Sequence, residues 1–158
     1  MQRASLVSYQ RSGECLAGGE KDDVTDPQTV LFICTHNAGR SQLGAHLLAR
    51  HAGDRLIADS AGVHPAAAIN PAVAATLDDL GIDTSAAVPR GVTPDDLANA
   101  DVVVLMKPGL ELPGPVSGEL VQWEFPDPAD WSVDSDSVRD LRDSVDLKVR
   151  ALAARLLE

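Results

Sequence analysis

The stretch VLFICTHNAGRSQ, residues 30–42, decides the fold. Val30 to Ile33 is a compact apolar run that predicts a buried strand, and Leu43, Leu47 and Leu48 then recur at helical spacing up to Gly53. A strand passing through a tight loop into a helix predicts a parallel sheet, because parallel neighbours need a crossover that is usually helical. Between strand and helix, Cys34 and Arg40 bracket five residues. A loop closed by a helix N-terminus turns successive backbone N–H groups inward as a nest for a tetrahedral oxyanion, and Arg40 adds a planar fork. The same positive potential favours a thiolate at the base of the loop. Ser41 is placed to donate a hydrogen bond to it, and Gly39 is expected to ease the turn. A nucleotide P-loop ends in Gly-Lys-Ser/Thr, which is absent here, and holds no nucleophile at its base.

Working outward, Arg55 to Ala58 offers a second strand. Asn70 before Pro71 reads as an N-cap with proline at the first helical position, with Val73, Leu77 and Leu80 as the apolar stripe and Gly81 as terminator. Thr93, Pro94 and Asp96 form a capping box that opens a short helix, followed by a buried third strand over Asp101 to Met106. A loop rich in Pro and Gly covers Lys107 to Gly118, and Leu120 to Trp123 predicts a fourth strand ending at Phe125-Pro126-Asp127-Pro128. Ser137 with Asp140 is expected to open a last helix whose positions Val138, Leu141, Val145, Val149, Leu152 and Leu156 share one face. The expected architecture is a single-domain α/β fold over 29–158, a four-stranded parallel sheet flanked by helices on both faces. Residues 1–28, with Gly13, Gly18, Gly19 and the charged cluster Glu20 to Asp23, read as a flexible N-terminal tail.

A chain of 158 residues fits one domain, and no apolar run approaches the roughly 20 residues that span a bilayer. The 13 Lys and Arg against 24 Asp and Glu give a formal charge of -11, which disfavours nucleic acid and anionic membranes as partners, so any anion must be held by a local site. The N-terminus lacks a basic segment followed by an apolar one, and the only cysteines are Cys15 and Cys34; both features predict a cytoplasmic protein with reduced thiols.

In an open parallel sheet the ligand crevice lies at the carboxyl ends of the strands, so Asp127, between two prolines after the fourth strand, is expected to face Cys34 across one site. There it would serve as general acid, protonating a departing oxygen. Its plainer reading is a turn residue. The acidic group Asp127, Asp130, Asp134 and Asp136 reads as solvated surface, not a metal site, since no His or Cys accompanies it at ligand spacing. His36 and His64 read as solvated histidines, Trp123 and Trp131 as packing residues, and Cys15 as a bystander thiol.

These motifs resemble the low-molecular-weight protein tyrosine phosphatase superfamily and, within it, the arsenate reductases, over about Thr29 to Leu157. The Cys-x5-Arg-Ser loop and the late Asp-Pro pair are common to the superfamily. Gln42 stands where the phosphatases resemble one another in having Pro, and Ala129-Asp130-Trp131 replaces their aromatic pair. His36-Asn37-Ala38-Gly39, Ser60-Ala61-Gly62-Val63-His64-Pro65 and Trp123-Glu124-Phe125-Pro126-Asp127-Pro128 are similar to reductase sequences. The resemblance implies that Cys34 attacks arsenate, with Arg40 and Asp127 as its catalytic partners. It implies that Thr35, His36, Asn37, Ala38, Gly39 and Ser41 bind the oxyanion or support the loop, with Asn37 held through Ser60. Thioredoxin-coupled reductases resemble one another in two further cysteines after the third strand, where this chain has Met106-Lys107-Pro108-Gly109-Leu110-Glu111. That absence resembles the subgroup using a small thiol, mycothiol, as cosubstrate, with a glutaredoxin-like protein (mycoredoxin) downstream and no bound cofactor. Ala45 stands where some relatives place a Glu that helps bind potassium, so no metal is carried over. The alternatives are a phosphatase working through phosphorylated Cys34 and a non-enzymatic oxyanion-binding module.

Overall fold

Alternation along Val30–Cys34 sends side chains to both faces of the sheet, and all five are buried, as the central strand of a doubly covered sheet requires. The computed structural model describes residues 26–133 and 135–158. In chain order the elements are β1 (Gln28–Cys34), α1 (Arg40–Ala52), a 3-10 turn (Gly53–Arg55), β2 (Leu56–Gly62), α2 (Pro71–Asp78), α3 (Pro94–Asn99), β3 (Val102–Leu105), β4 (Glu119–Gln122) and α4 (Asp136–Leu156). All strand pairs are parallel, in the order β2-β1-β3-β4. The chain leaves β1 toward β2 on one side and reaches β3 on the other. The carboxyl end of β1 is therefore the switch point at which α/β sheets open a crevice.

On one face, Val30, Phe32 and Cys34 pack with Leu43, Leu47 and Leu48 of α1, Val73 and Leu77 of α2, and Val138, Leu141, Val145, Val149 and Leu152 of α4. On the other, Leu31 and Ile33 pack with Leu97 of α3 and with Leu110, Leu112 and Val116 of the loop after β3. Helices thus flank both faces, although the second is covered by one six-residue helix and a loop. Trp123 and Trp131 pack against the first core, and the Trp123 ring lies 6.1 Å from those of Phe32 and Phe125.

Several boundaries differ from the sequence reading. Gln28 already pairs with Leu56, one residue before the expected domain start, while the remainder of the expected tail through Thr25, Cys15 included, lies outside the described residues. The second strand runs to Gly62 instead of Ala58, because the register with β1 continues from Val30↔Ala58 to Cys34↔Gly62 through polar Asp59 and Ser60. The last helix is capped by Ser135, whose hydroxyl accepts from the Val138 N–H at 3.2 Å, so it begins at Asp136, ahead of the expected Ser137. The other two caps are as read: Asn70 accepts from the Ala72 and Val73 N–H groups, and Thr93 with Asp96 closes a capping box.

Candidate active site

The loop from Cys34 to Gly39 has every backbone carbonyl tied off. Cys34 O accepts from Val63 N, Thr35 O from His64 N, His36 O from Ala66 N, Ala38 O from Asn70 N and Gly39 O from Leu43 N, while Asn37 O accepts from the Gln42 side chain at 2.9 Å. With the carbonyls engaged outward, the amide N–H groups of the loop are left for the space above Cys34, and α1 begins at Arg40 with its positive end on the same space.

Asn37 is the one non-glycine residue with positive φ (52°) among the described residues, and it is fully buried. The left-handed residue of the loop is therefore Asn37. Gly39 is required for a different reason: a Cβ there would lie 2.9 Å from the Pro128 ring. Gly62 is required by a closer approach still, since a Cβ would come 2.7 Å from Asn37 N and 2.8 Å from Thr35 O.

A directed chain of hydrogen bonds reaches the sulfur. The Arg90 backbone N–H donates to Asn37 Oδ1 at 2.9 Å, which fixes the amide so that Asn37 Nδ2 donates to Ser41 Oγ at 2.8 Å. Ser41 Oγ lies 2.9 Å from Cys34 Sγ, and since an ionised sulfur can only accept, the Ser41 hydroxyl is placed to donate to a Cys34 thiolate. Cys34 is 2% exposed. Ser60, expected to hold Asn37, does not: it stands beside Phe32 in the sheet register, its N–H donates to Asp59, and both Asn37 amide groups are taken by Arg90 and Ser41.

Arg40 is buried at the first position of α1. Its Nη1 donates to Phe125 O at 3.1 Å and its Nη2 lies 3.7 Å from Asp127 Oδ2, leaving its remaining N–H groups for an oxyanion. Asp127 is half-exposed, with Oδ1 accepting from Ala129 N at 3.0 Å. Cys34, His36, Ala38, Gly39, Arg40, Asn70, Asp127, Pro128 and Ala129 line a cavity of about 30 Å³. The structure thus brings Cys34, Arg40 and Asp127 to one pocket. His36 is exposed at its rim with Nδ1 donating to His64 O, whereas Thr35, Asn37 and Ser41 form the loop but not the cavity wall.

Two contributors were not singled out for the site by sequence. Asn70 reads as a helix cap, yet it also donates through Nδ2 to Pro128 O and through its backbone N–H to Ala38 O, so it ties the oxyanion loop to the Asp127 loop. Arg90 carries no motif. Its guanidinium bridges Asp59 and Asp96 at 2.9 Å each. Partial burial of Asp96 raises its pKa, but the bonds from Arg90 and Thr93 outweigh this and hold the carboxyl below its ordinary range. Partial burial of Arg90 lowers its own pKa, and the two carboxylates overcome that and raise it.

Fold and site together define an α/β domain built around a Cys-x5-Arg oxyanion loop. The chain belongs to the low molecular weight phosphotyrosine protein phosphatase family, whose model matches residues 29–111. It is similar to an arsenate reductase of Bacillus licheniformis, at 33% identity over 105 residues, covering 65% of this chain and 75% of that protein. It is also similar to the solved structure of a Corynebacterium glutamicum thioredoxin-dependent arsenate reductase, at 32% identity and TM-score 0.72, over 85% of this chain and 65% of that one. The tyrosine phosphatase Wzb of Escherichia coli K30 shares the fold at TM-score 0.73 and 19% identity, over 82% of this chain and 98% of that one.

Proposed function

We propose that the protein is an arsenate reductase in which Cys34 attacks arsenate and an external small thiol, mycothiol or a chemical equivalent, then takes the arsenic. The observation that carries the oxyanion reading is the loop with all its carbonyls engaged outward around a buried sulfur. Two features favour arsenate over an aryl phosphate. The lining of the cavity holds no Phe, Tyr or Trp to stack on a phenol ring, and the relatives named above at 30% identity or more carry the name arsenate reductase.

In the first step the Cys34 sulfur forms a bond to arsenic as an As–O bond breaks, and Asp127 gives the departing oxygen a proton so that it leaves as water. Arg40 and the loop N–H groups carry the charge on the remaining oxygens, positioning them for in-line attack. In the second, the small thiol forms its own S–As bond, Cys34 leaves as thiolate, and Ser41 receives it with a hydrogen bond. Arsenic remains pentavalent through both steps. Reduction to arsenite follows when a thiol of a glutaredoxin-like protein attacks the sulfur of the conjugate, forming a mixed disulfide. Such thiol chemistry fits a cytoplasmic, reducing compartment.

The test is arsenate consumption by purified protein with a panel of thiols, beside hydrolysis of a chromogenic phosphoester. Thiol-dependent consumption of arsenate, abolished by Cys34→Ser with the fold intact, is expected, because a hydroxyl is far harder to ionise than a thiol. Phosphoester turnover with no consumption of arsenate would replace this reading with that of a phosphatase.

A further inference from the structure

We propose that Arg90 is a positioning residue for Cys34: its guanidinium anchors the stretch of backbone whose N–H holds Asn37 in the left-handed turn of the oxyanion loop. A non-glycine residue in that conformation persists only where its surroundings over-determine it. Asn37 is held by three hydrogen bonds, from Arg90 N, to Ser41 Oγ and from Gln42 Nε2. The first decides the other end of the chain. A backbone N–H can only donate, so it fixes which end of the Asn37 amide faces Ser41; with Nδ2 donating there, Ser41 Oγ keeps its own proton free to donate to a Cys34 thiolate 2.9 Å away.

The position of that N–H is set by few contacts. Residues 83–90 hold no helix or strand, and Gly91 makes a single bridge to Gly62, with Gly62 N donating to Arg90 O and Val92 N to Gly62 O, each at 2.9 Å. The side chain of Arg90 adds the stronger hold. Nη2 donates to Asp59 Oδ2 on β2 at 2.9 Å, Nη1 to Asp96 Oδ2 on α3 at 2.9 Å, and Nη2 to Asp96 Oδ1 at 3.3 Å. Asp96 is itself fixed, because the same carboxylate accepts from Thr93 N in the capping box. One guanidinium thus locks strand and helix on the far face of the sheet and presents its own amide to the loop on the reactive side. Charge-assisted bonds in a planar fork suit this, since they fix direction as well as distance.

This proposal rests on Cys34 as the reactive thiol but not on the identity of the substrate, so it is tested without arsenate. In a Cys15→Ser background, the rate of Cys34 alkylation by iodoacetamide is measured against pH for Arg90, Arg90→Ala and Arg90→Lys proteins. Arg90→Ala is expected to react about tenfold more slowly near neutral pH, the scale of one hydrogen bond's net contribution. The difference should close at alkaline pH, where the thiol ionises without help, and Arg90→Lys, which reaches one carboxylate, should recover part of the rate. Folded Arg90→Ala with the parent's profile would overturn the proposal, as would a slowing that is uniform at every pH, which marks altered access. Where Arg90→Ala does not unfold cooperatively, Asp59→Asn removes one arm of the clamp. It should slow alkylation in the same pH-dependent way but less, and an unchanged profile there overturns the proposal equally.

Discussion

Asp127 has two oxygens with different surroundings, and the proposed acid role falls to one of them. Oδ1 accepts from Ala129 N, which leaves Oδ2, the oxygen 3.7 Å from Arg40 Nη2, as the one the proposed mechanism would use. Asp127→Asn keeps the acceptor for Ala129 but has no proton to surrender. It is expected to slow formation of the Cys34 adduct by about 10² to 10⁴ in single-turnover measurements; an unaltered rate and pH profile would remove Asp127 from the mechanism. Cys34, Arg40 and Ser41 are legible in the sequence because one short loop carries them all, and Asp127 because two prolines isolate it at a strand end. Arg90 is not legible. It meets Asn37 across 53 positions through a backbone N–H, a group every residue but proline carries, so no residue type at that position announces the contact. Ser60 is a different case: the resemblance named it as a partner for Asn37, but it stands beside Phe32 in the ladder, and Asn37 Oδ1 and Nδ2 are bonded to Arg90 and Ser41 instead.

Between elements, the oxyanion loop depends on the end of β2 as much as on β1. Gly62 closes the ladder opposite Cys34, and its missing side chain is what lets the loop backbone lie against it. Gly62→Ala places a Cβ against two backbone atoms that cannot rotate away, so it should cost about 1 to 3 kcal/mol in chemical denaturation and also lower turnover by displacing Asn37. Full activity in that variant would mean that the loop tolerates movement. Helix starts were legible where a cap and a proline coincide, at Asn70-Pro71 and Thr93-Pro94, and misplaced by two residues at Ser135, where two serines compete. The second half of β2 was hidden because Asp59 and Ser60 interrupt its apolar pattern, and it is pairing with β1 that extends the strand through them. Asp59 then anchors Arg90 together with Asp96, whose pKa the folded state depresses. A depressed carboxylate contributes stability that is full above the ordinary aspartate value of 3.8 and is lost as pH falls through the lower folded value. Asp96→Asn should therefore lose less stability than the parent as pH falls below the ordinary aspartate value of 3.8. Urea midpoints across that range measure it, and parallel curves for parent and variant would dismiss the contribution.

For the whole molecule, charge and thiol count set the terms. A formal charge of -11 repels an oxyanion at long range, so under the proposed function capture would fall to the loop amides, the α1 terminus and Arg40 acting at short range. The same accounting bears on where electrons would come from in the proposed reaction. Reduction of arsenate through an internal disulfide needs one cysteine that resolves the Cys34 adduct and another that passes the disulfide on. The chain has two cysteines in all; the segment after β3 has none, and Cys34 is the free cysteine among the described residues. With only Cys15 besides, the relay is one thiol short even if Cys15 reaches the site. Arsenate reduction is therefore expected to require an added low-molecular-weight thiol with its own glutaredoxin-like partner, to pass through a thiol-arsenate conjugate detectable by mass spectrometry, and to persist in Cys15→Ser at close to the parent rate. The thioredoxin dependence named for the Corynebacterium glutamicum relative supplies the opposing case. Steady turnover with thioredoxin and its reductase as sole reductants, or loss of activity in Cys15→Ser together with a Cys15–Cys34 disulfide in the parent, would show that electrons arrive through the protein's own thiols.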